Sequence, residues 1–157
     1  MAIRDYVFFG KTFDEWEIGK EYYTSARTIT ETDIVNFAGL AGDWSATHVN
    51  DEYAKAGFYG KRIAYGNITF MVSTGMLQQT LMFEGTTIAM LDFKVSYQDP
   101  VFFQDTIFCK FFVEEKRKTS KGDGIIKVHV FVYNQDEKQV AEETFTFLVS
   151  NEKATMK

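Results

Sequence analysis

The chain has 157 residues, enough for one domain with a substantial buried core. Its 17 Lys and Arg against 22 Asp and Glu give a net charge of −5, which argues against a nucleic-acid binder that must neutralise phosphates. An apolar fraction of 45% excludes global disorder, and one cysteine (Cys109) with two histidines (His48 and His129) excludes a disulfide framework or a cysteine-rich metal cluster. Arg4, Asp5 and Lys11 near the N-terminus, without a long apolar run, do not read as a secretory signal, so a cytoplasmic setting is expected.

In chain order, Glu21 to Thr30 reads as a first strand. Thr30 is then an N-cap with Asp33 in a capping-box arrangement, followed by an apolar stripe of Ile34, Phe37, Ala38 and Ala41 that Gly42 ends. Asn50 caps a short helix, Asp51 to Ala56, closed by Gly57. From Ile63 to Phe83 there is no charged residue, a length that spans a bilayer. Polar groups from Asn67 to Thr80 instead predict a long helix starting near Gly66 and buried inside a soluble protein, with no membrane partner.

The second half changes to period two. Ala89–Tyr97, Ile107–Val113, Ile126–Val132 and Ala141–Val149 alternate as strands, with Glu143 breaking the last stripe. Turn signals at Gln98–Pro100, Lys121–Gly124 and Asn134–Asp136 predict an antiparallel meander. Strands segregated from helices indicate an α+β domain, a curved sheet against one buried helix. Such a sheet leaves edge strands exposed, and pairing between two copies predicts a homodimer.

Groups that exchange protons near neutral pH are few. In Gly42-Asp43-Trp44-Ser45-Ala46-Thr47-His48, a continuous helix would hold Asp43 and His48 about 140° apart, whereas the small residues suggest a loop in which they converge. A carboxylate and an imidazole around one water make an acid–base device. The same stretch is equally a turn capped by Asp43 beside a half-buried histidine. His129 reads as a strand histidine. In Arg62-Ile63-Ala64-Tyr65-Gly66-Asn67-Ile68, Gly66 lets a ligand approach the unpaired amides of a helix N-terminus, or simply lets the chain enter the helix.

These residues resemble the MaoC-like hydratases, the hot-dog-fold family that includes the (R)-specific enoyl-CoA hydratases. The family's Gly-Asp, four residues, His, five residues, Ala or Ser is matched by Gly42-Asp43, His48 and Ala54. Its Ile-Ala-His-Gly string appears as Ile63-Ala64-Tyr65-Gly66, and its Pro-Val-x-x-Gly-Asp-Thr turn is echoed by Pro100-Val101 with Asp105-Thr106. The resemblance runs roughly from Phe13 to Val149.

It implies a single hot-dog domain over residues 1–157, with a core of about 13–149 and 151–157 as a flexible tail. It also implies reversible hydration of a trans-2-enoyl-CoA: Asp43 and His48 activate water and the Gly66 N–H binds the enolate oxygen. No metal or redox cofactor is implied, coenzyme A being part of the substrate. Thr74, at the place of a family serine, with its neighbour Ser73, is expected to support the pair. Lys61 and Arg62 are expected to meet phosphates of coenzyme A or a substrate carboxylate, unless they form only a solvated turn. The chain departs from the family at Ser45-Ala46, commonly Asn-Pro, and at Tyr65, commonly His. An acyl-CoA thioesterase and a non-catalytic acyl-thioester-binding module are the other functions open to such a scaffold.

Overall fold

A computed structural model describes residues 6–120 and 122–155. In chain order these form β1 (Tyr22–Tyr23), β2 (Arg27–Thr28), α1 (Glu31–Ala41), α2 (Ala46–Val49), α3 (Asp51–Ala56), α4 (Gly66–Gln79), β3 (Thr87–Tyr97), β4 (Thr106–Lys118), β5 (Gly124–Tyr133) and β6 (Gln139–Val149). The stretch expected as one strand over Glu21–Thr30 is two short ones, each antiparallel to β4. Between them the Cys109 amide donates to the Thr24 hydroxyl at 3.0 Å rather than to a backbone carbonyl, which interrupts the ladder.

The sheet order is β1-β4-β5-β6-β3, with β2 also on β4. The meander therefore holds for β4, β5 and β6 but not for β3, which lies beyond β6 at the far edge. The link after β3 does not turn back on itself. Pro100 offers no N–H, the Val101 carbonyl accepts from the Ala64 amide at 2.8 Å, and Phe102 bridges Ile63. The link is thereby tied to the segment that leads into α4 and carries the chain across the end of the sheet. Bulges in β3, in the β4–β5 ladder and in the β5–β6 ladder add twist and bend the sheet.

The concave face buries Ile107, Phe111, Val113, Ile126, Val128, Val130 and Phe145 completely. Against it α4 buries Ile68, Met76 and Leu77, and Phe70 stacks on Phe93 and Phe145 at 4.8 and 5.8 Å. Each fully buried side chain of this size contributes about 1.5–3 kcal/mol relative to exposure. The sheet covers one face of α4, while Asn67, Met71, Gln78 and Gln79 of the same helix are exposed. No helix among the described residues is long and apolar enough to cross a membrane. A curved antiparallel sheet around one long helix is the hot-dog architecture.

Beyond β6 the chain is tied back as far as Ala154. Asn151 exchanges two hydrogen bonds with Asp14, and the Ala154 amide donates to the Gly85 carbonyl at 2.7 Å. Arg4, Asp5 and Lys121, and the last two residues of the expected tail, lie outside the described residues.

Candidate active site

Helix α1 begins with the expected capping box of Thr30 and Asp33 and ends at Gly42, which takes the left-handed conformation (φ 71°). That turn sends Asp43 off the helix axis. Asp43 Oδ1 accepts from the Ser45 amide at 3.0 Å and from its hydroxyl at 2.5 Å. The chain then winds into α2, which carries His48. The sequence predicts a loop here; four residues are too few to display a helical period. Ser45, standing where the family commonly has Asn, takes over the support of the carboxylate. The Ser45 hydroxyl, then its N–H, then the charge of His48 hold the Asp43 carboxyl below its ordinary pKa, against the opposing effect of partial burial.

His48 Nδ1 lies 2.8 Å from the Ile63 carbonyl. A carbonyl only accepts, so Nδ1 carries the hydrogen and the neutral ring keeps its lone pair on Nε2. Tyr65 is buried beside it, its ring centroid 3.9 Å from that of His48 and 4.7 Å from that of Phe37. The Tyr65 hydroxyl donates to the Asp43 carbonyl at 2.5 Å. Burial first, and the Asp43 charge second, raise its pKa, so the phenol remains a donor. Asp43, His48 and Tyr65 thus form one cluster between α1, α2 and the start of α4.

Gly66 is the first residue of α4. Among the described residues its amide has no acceptor, and it stands at the positive end of the helix dipole. A side chain here would crowd the Tyr97 ring, a Cβ coming to 3.0 Å from it. A cavity of about 240 Å³ opens at this point, lined by Ile63, Ala64, Gly66, Thr69, Tyr97 and Val101 among others. Asp43 and His48 do not line it. The pair and the cavity meet at the Ile63–Gly66 segment, whose two ends His48 and Gly66 hold.

Two expected supports do not reach the pair. Thr74 donates back to the Phe70 carbonyl of its own helix at 2.8 Å. Ser73 is fully buried against the sheet, its Oγ 2.8 Å from each carboxyl oxygen of Glu143. Arg62 turns inward rather than toward a ligand. It pairs with Asp51 at 2.6 Å and Glu31 at 2.9 Å, reaches the His48 carbonyl at 3.4 Å, and covers the Phe103 ring at 4.1 Å. Attraction to two carboxylates beats a solvated turn here because the guanidinium lies between α1 and α3. Lys61, by contrast, is exposed, its ammonium 3.9 Å from the centre of the Phe102 ring. It borders a second hollow of about 230 Å³ with Thr47, Tyr53, Phe58 and Tyr59. His129 bonds Glu142 at 2.7 Å on the outer sheet face, away from this cluster. Among the described residues no three His, Cys, Asp or Glu side chains converge as a metal site.

Comparison with known proteins bears on the fold and the family of the chain. The family model "MaoC like domain" matches residues 14–134. Protein YdeM of Bacillus subtilis, uncharacterised, is 28% identical over 87% of this chain and 96% of its own length. The (R)-specific enoyl-CoA hydratase of Rhodospirillum rubrum is 34% identical over 52% of this chain and 56% of its own length. The chain spans only 20% of the Klebsiella aerogenes protein MaoC, to which it is 37% identical over 43% of its own length. Among solved structures, an Archaeoglobus protein described as a monoamine oxidase regulatory protein superposes with a TM-score of 0.83 at 31% identity, covering 89% of this chain and 94% of that one. The fold also matches the Pseudomonas aeruginosa R-hydratase PhaJ1, with a TM-score of 0.78 at 24% identity over 93% and 90% of the two chains. With most of its length matched by the family model and its long helix wrapped as the motifs imply, the chain belongs to the MaoC-like domain family.

Proposed function

We propose that the protein is a hydro-lyase that adds water reversibly across the 2,3 double bond of an enoyl-CoA. The observation that carries this is the hydrogen bond of His48: with Nδ1 held by the Ile63 carbonyl, Nε2 is the free base, and the Asp43 carboxylate, kept ionised by Ser45, lies near enough to feel the imidazole electrostatically. In the forward direction a water held by Asp43 and His48 gives a proton to His48 Nε2 as its oxygen bonds to C3. The π electrons move onto the thioester oxygen, where the Gly66 N–H meets the developing charge. The protonated pair then returns a proton to C2, and the enolate collapses to the 3-hydroxyacyl thioester.

The acyl group would enter the cavity at Gly66 and the coenzyme A arm would lie over the Lys61 hollow, with Tyr59 common to both linings. Two copies would pair along the free edge of β3, where Ile88, Met90, Leu91 and Phe93 are each about half exposed, acting in the cytoplasm as a homodimer. Tyr65 in place of histidine leaves the dyad, not a triad, as the titrating machinery.

The test is loss of the conjugated enoyl-thioester absorbance of crotonyl-CoA and longer or branched relatives, with chiral analysis of the product. Hydration by the parent and a loss of about 10²–10⁴-fold in Asp43→Ala and His48→Ala are expected. Variants that match the parent across the panel would overturn the assignment. A regulatory, acyl-thioester-binding role is the second reading, favoured by the 31% identical Archaeoglobus regulatory protein. Tight acyl-CoA binding without turnover of any enoyl substrate would select it.

A further inference from the structure

Helix α4 carries three hydroxyl side chains, Thr69, Ser73 and Thr74. Two of them are engaged within the chain. Ser73 Oγ is 2.7 Å from the Phe70 carbonyl and 2.8 Å from each Glu143 oxygen, and Thr74 donates back to the Phe70 carbonyl at 2.8 Å. A hydroxyl inside a helix can bond in this way to a carbonyl three or four residues before it. Four residues before Thr69 is Tyr65, whose carbonyl instead takes the Ile68 and Thr69 amides, at 3.0 and 3.4 Å. The Thr69 hydroxyl makes no hydrogen bond among the described residues, although the residue is only 2% exposed. Nor is it sealed off. Among the described residues Trp16 Nε1 and the hydroxyls of Tyr22, Thr86 and Thr87 are enclosed without a partner, and the Thr69 oxygen is not one of these. It keeps a little accessible surface, and the space beside it is the cavity at Gly66, which Thr69 lines.

Of the lining residues that are buried (Ala64, Thr69, Val101 and Val140), Thr69 alone brings a side-chain hydrogen-bonding group. Gly66 and Thr69 stand about 4.5 Å apart along the helix axis and about 60° apart around it. The Cα–Cβ bond of a helical residue tilts toward the helix N-terminus, so the Thr69 side chain leans toward the end that Gly66 heads. The unpaired Gly66 amide and the unpaired Thr69 hydroxyl therefore face one cavity from the same side of one helix turn. The Tyr97 ring, whose hydroxyl reaches Asn67 Oδ1 at 3.4 Å, stands against Gly66 and walls this corner.

We propose that Thr69 is a further catalytic residue, its hydroxyl donating a second hydrogen bond to the thioester oxygen that the Gly66 N–H meets. This rests on the enoyl-thioester reading above. A carbonyl oxygen that gains charge has two lone pairs to satisfy; the amide takes one and the hydroxyl the other. No proton is transferred at this contact: the Thr69 O–H bond stays intact while the oxygen becomes an enolate and then a carbonyl again. Because the hydroxyl is not tied to its own helix, no bond has to break before it can donate. The contact also gives a buried polar group the partner it lacks within the chain.

Thr69→Val is nearly isosteric and removes only the donor, whereas Thr69→Ser keeps it. With crotonyl-CoA, Thr69→Val is expected to lose about 10²-fold in kcat with little change in KM, and Thr69→Ser to stay within roughly fivefold of the parent. Thermal unfolding checks that Thr69→Val is folded, and Thr69→Ala takes its place if it is not. A folded variant with the parent's kcat, or Thr69→Ser as slow as Thr69→Val, overturns the proposal. A second readout needs no turnover: the thioester C=O stretch of bound butyryl-CoA in difference infrared spectra. Two donors lower its frequency in the parent, and Thr69→Val is expected to give back part of that shift. Should the parent hydrate no enoyl-CoA, the hydration reading fails, while the infrared comparison still decides the role of Thr69. An identical band in parent and variant, or no binding of butyryl-CoA, overturns the proposal.

Discussion

The ring of Tyr65 lies 3.9 Å from the imidazole of His48, centroid to centroid, while its hydroxyl holds the backbone carbonyl of Asp43 at 2.5 Å. One side chain thus fixes both members of the proposed dyad, one by packing and the other by a hydrogen bond. A histidine, shorter and without a distal hydroxyl, cannot make that second contact in the same pose. The departure from the family string at this position exchanges a titratable ring for a brace.

Tyr65→Phe separates the two roles. It keeps the ring against His48 and Phe37 and removes only the hydrogen bond, leaving the Asp43 carbonyl to find water. A stability loss of about 1 kcal/mol is expected, with a several-fold fall in kcat and little change in KM. Thermal unfolding and steady-state kinetics check this. An unchanged kcat would show that the Asp43 backbone is held without the phenol.

Ser45 provides two donors to the Asp43 carboxylate and the largest pull on its pKa. Ser45→Ala deletes the hydroxyl, so the Asp43 midpoint should move upward, toward the ordinary carboxylate value. For a depressed carboxylate, the sign is that its proton returns only at lower pH, and removing the cause makes it return sooner as pH falls. Carboxyl carbon chemical shifts of Asp43 followed by NMR through an acid titration would show the displacement. A midpoint equal to that of the parent would assign the depression elsewhere.

Much of this was legible because local rules and global packing agree. Thr30 and Asp33 specify a helix start by side-chain bonding alone, and Gly42 specifies its end by a backbone conformation other residues avoid. The alternation over Ile107–Val113 and Ile126–Val132 needs only one buried face to be read. Which strand β3 joins was not legible, because pairing depends on where the Gln98–Asp105 link is anchored, and its anchors are Ile63 and Ala64, distant in sequence. The directions of Ser73, Thr74 and Arg62 were hidden for the same reason: each is decided by a partner or a back-bond rather than by spacing. Glu143 did leave a signal, a lone charge in an apolar stripe, but only the fold supplies Ser73 as its partner.

Arg62 should be a structural clamp. It joins α1 through Glu31 to α3 through Asp51 and touches the carbonyl of His48, with its side chain 14% exposed. Arg62→Ala is expected to cost about 1–2 kcal/mol, more than an exposed pair because the guanidinium is shielded and shared. In a domain of this size that lowers Tm by several degrees. Arg62→Lys should recover little, since a point charge cannot bridge two carboxylates with a planar fork. If Arg62→Ala leaves Tm intact but raises KM for acyl-CoA alone, the residue faces the ligand after all.

Glu143 gives the stability curve a definite slope. Its folded-state pKa of about 8 stands above the ordinary 4.5, so the stability it allows is fully present below pH 4.5. Between those values the unfolded chain releases the proton and the folded one keeps it, so stability is lost as pH rises, until Glu143 also ionises in the folded state. The loss amounts to a few kcal/mol at most. Glu143→Gln, which cannot ionise, should flatten this stretch of the curve, and by pH 9 the variant should be the more stable protein. Urea unfolding at half-unit intervals from pH 4.5 to 9 measures it. Parallel curves for parent and variant would mean that Glu143 is ionised in the fold and that Ser73 stabilises a carboxylate, with the proton assignment reversed.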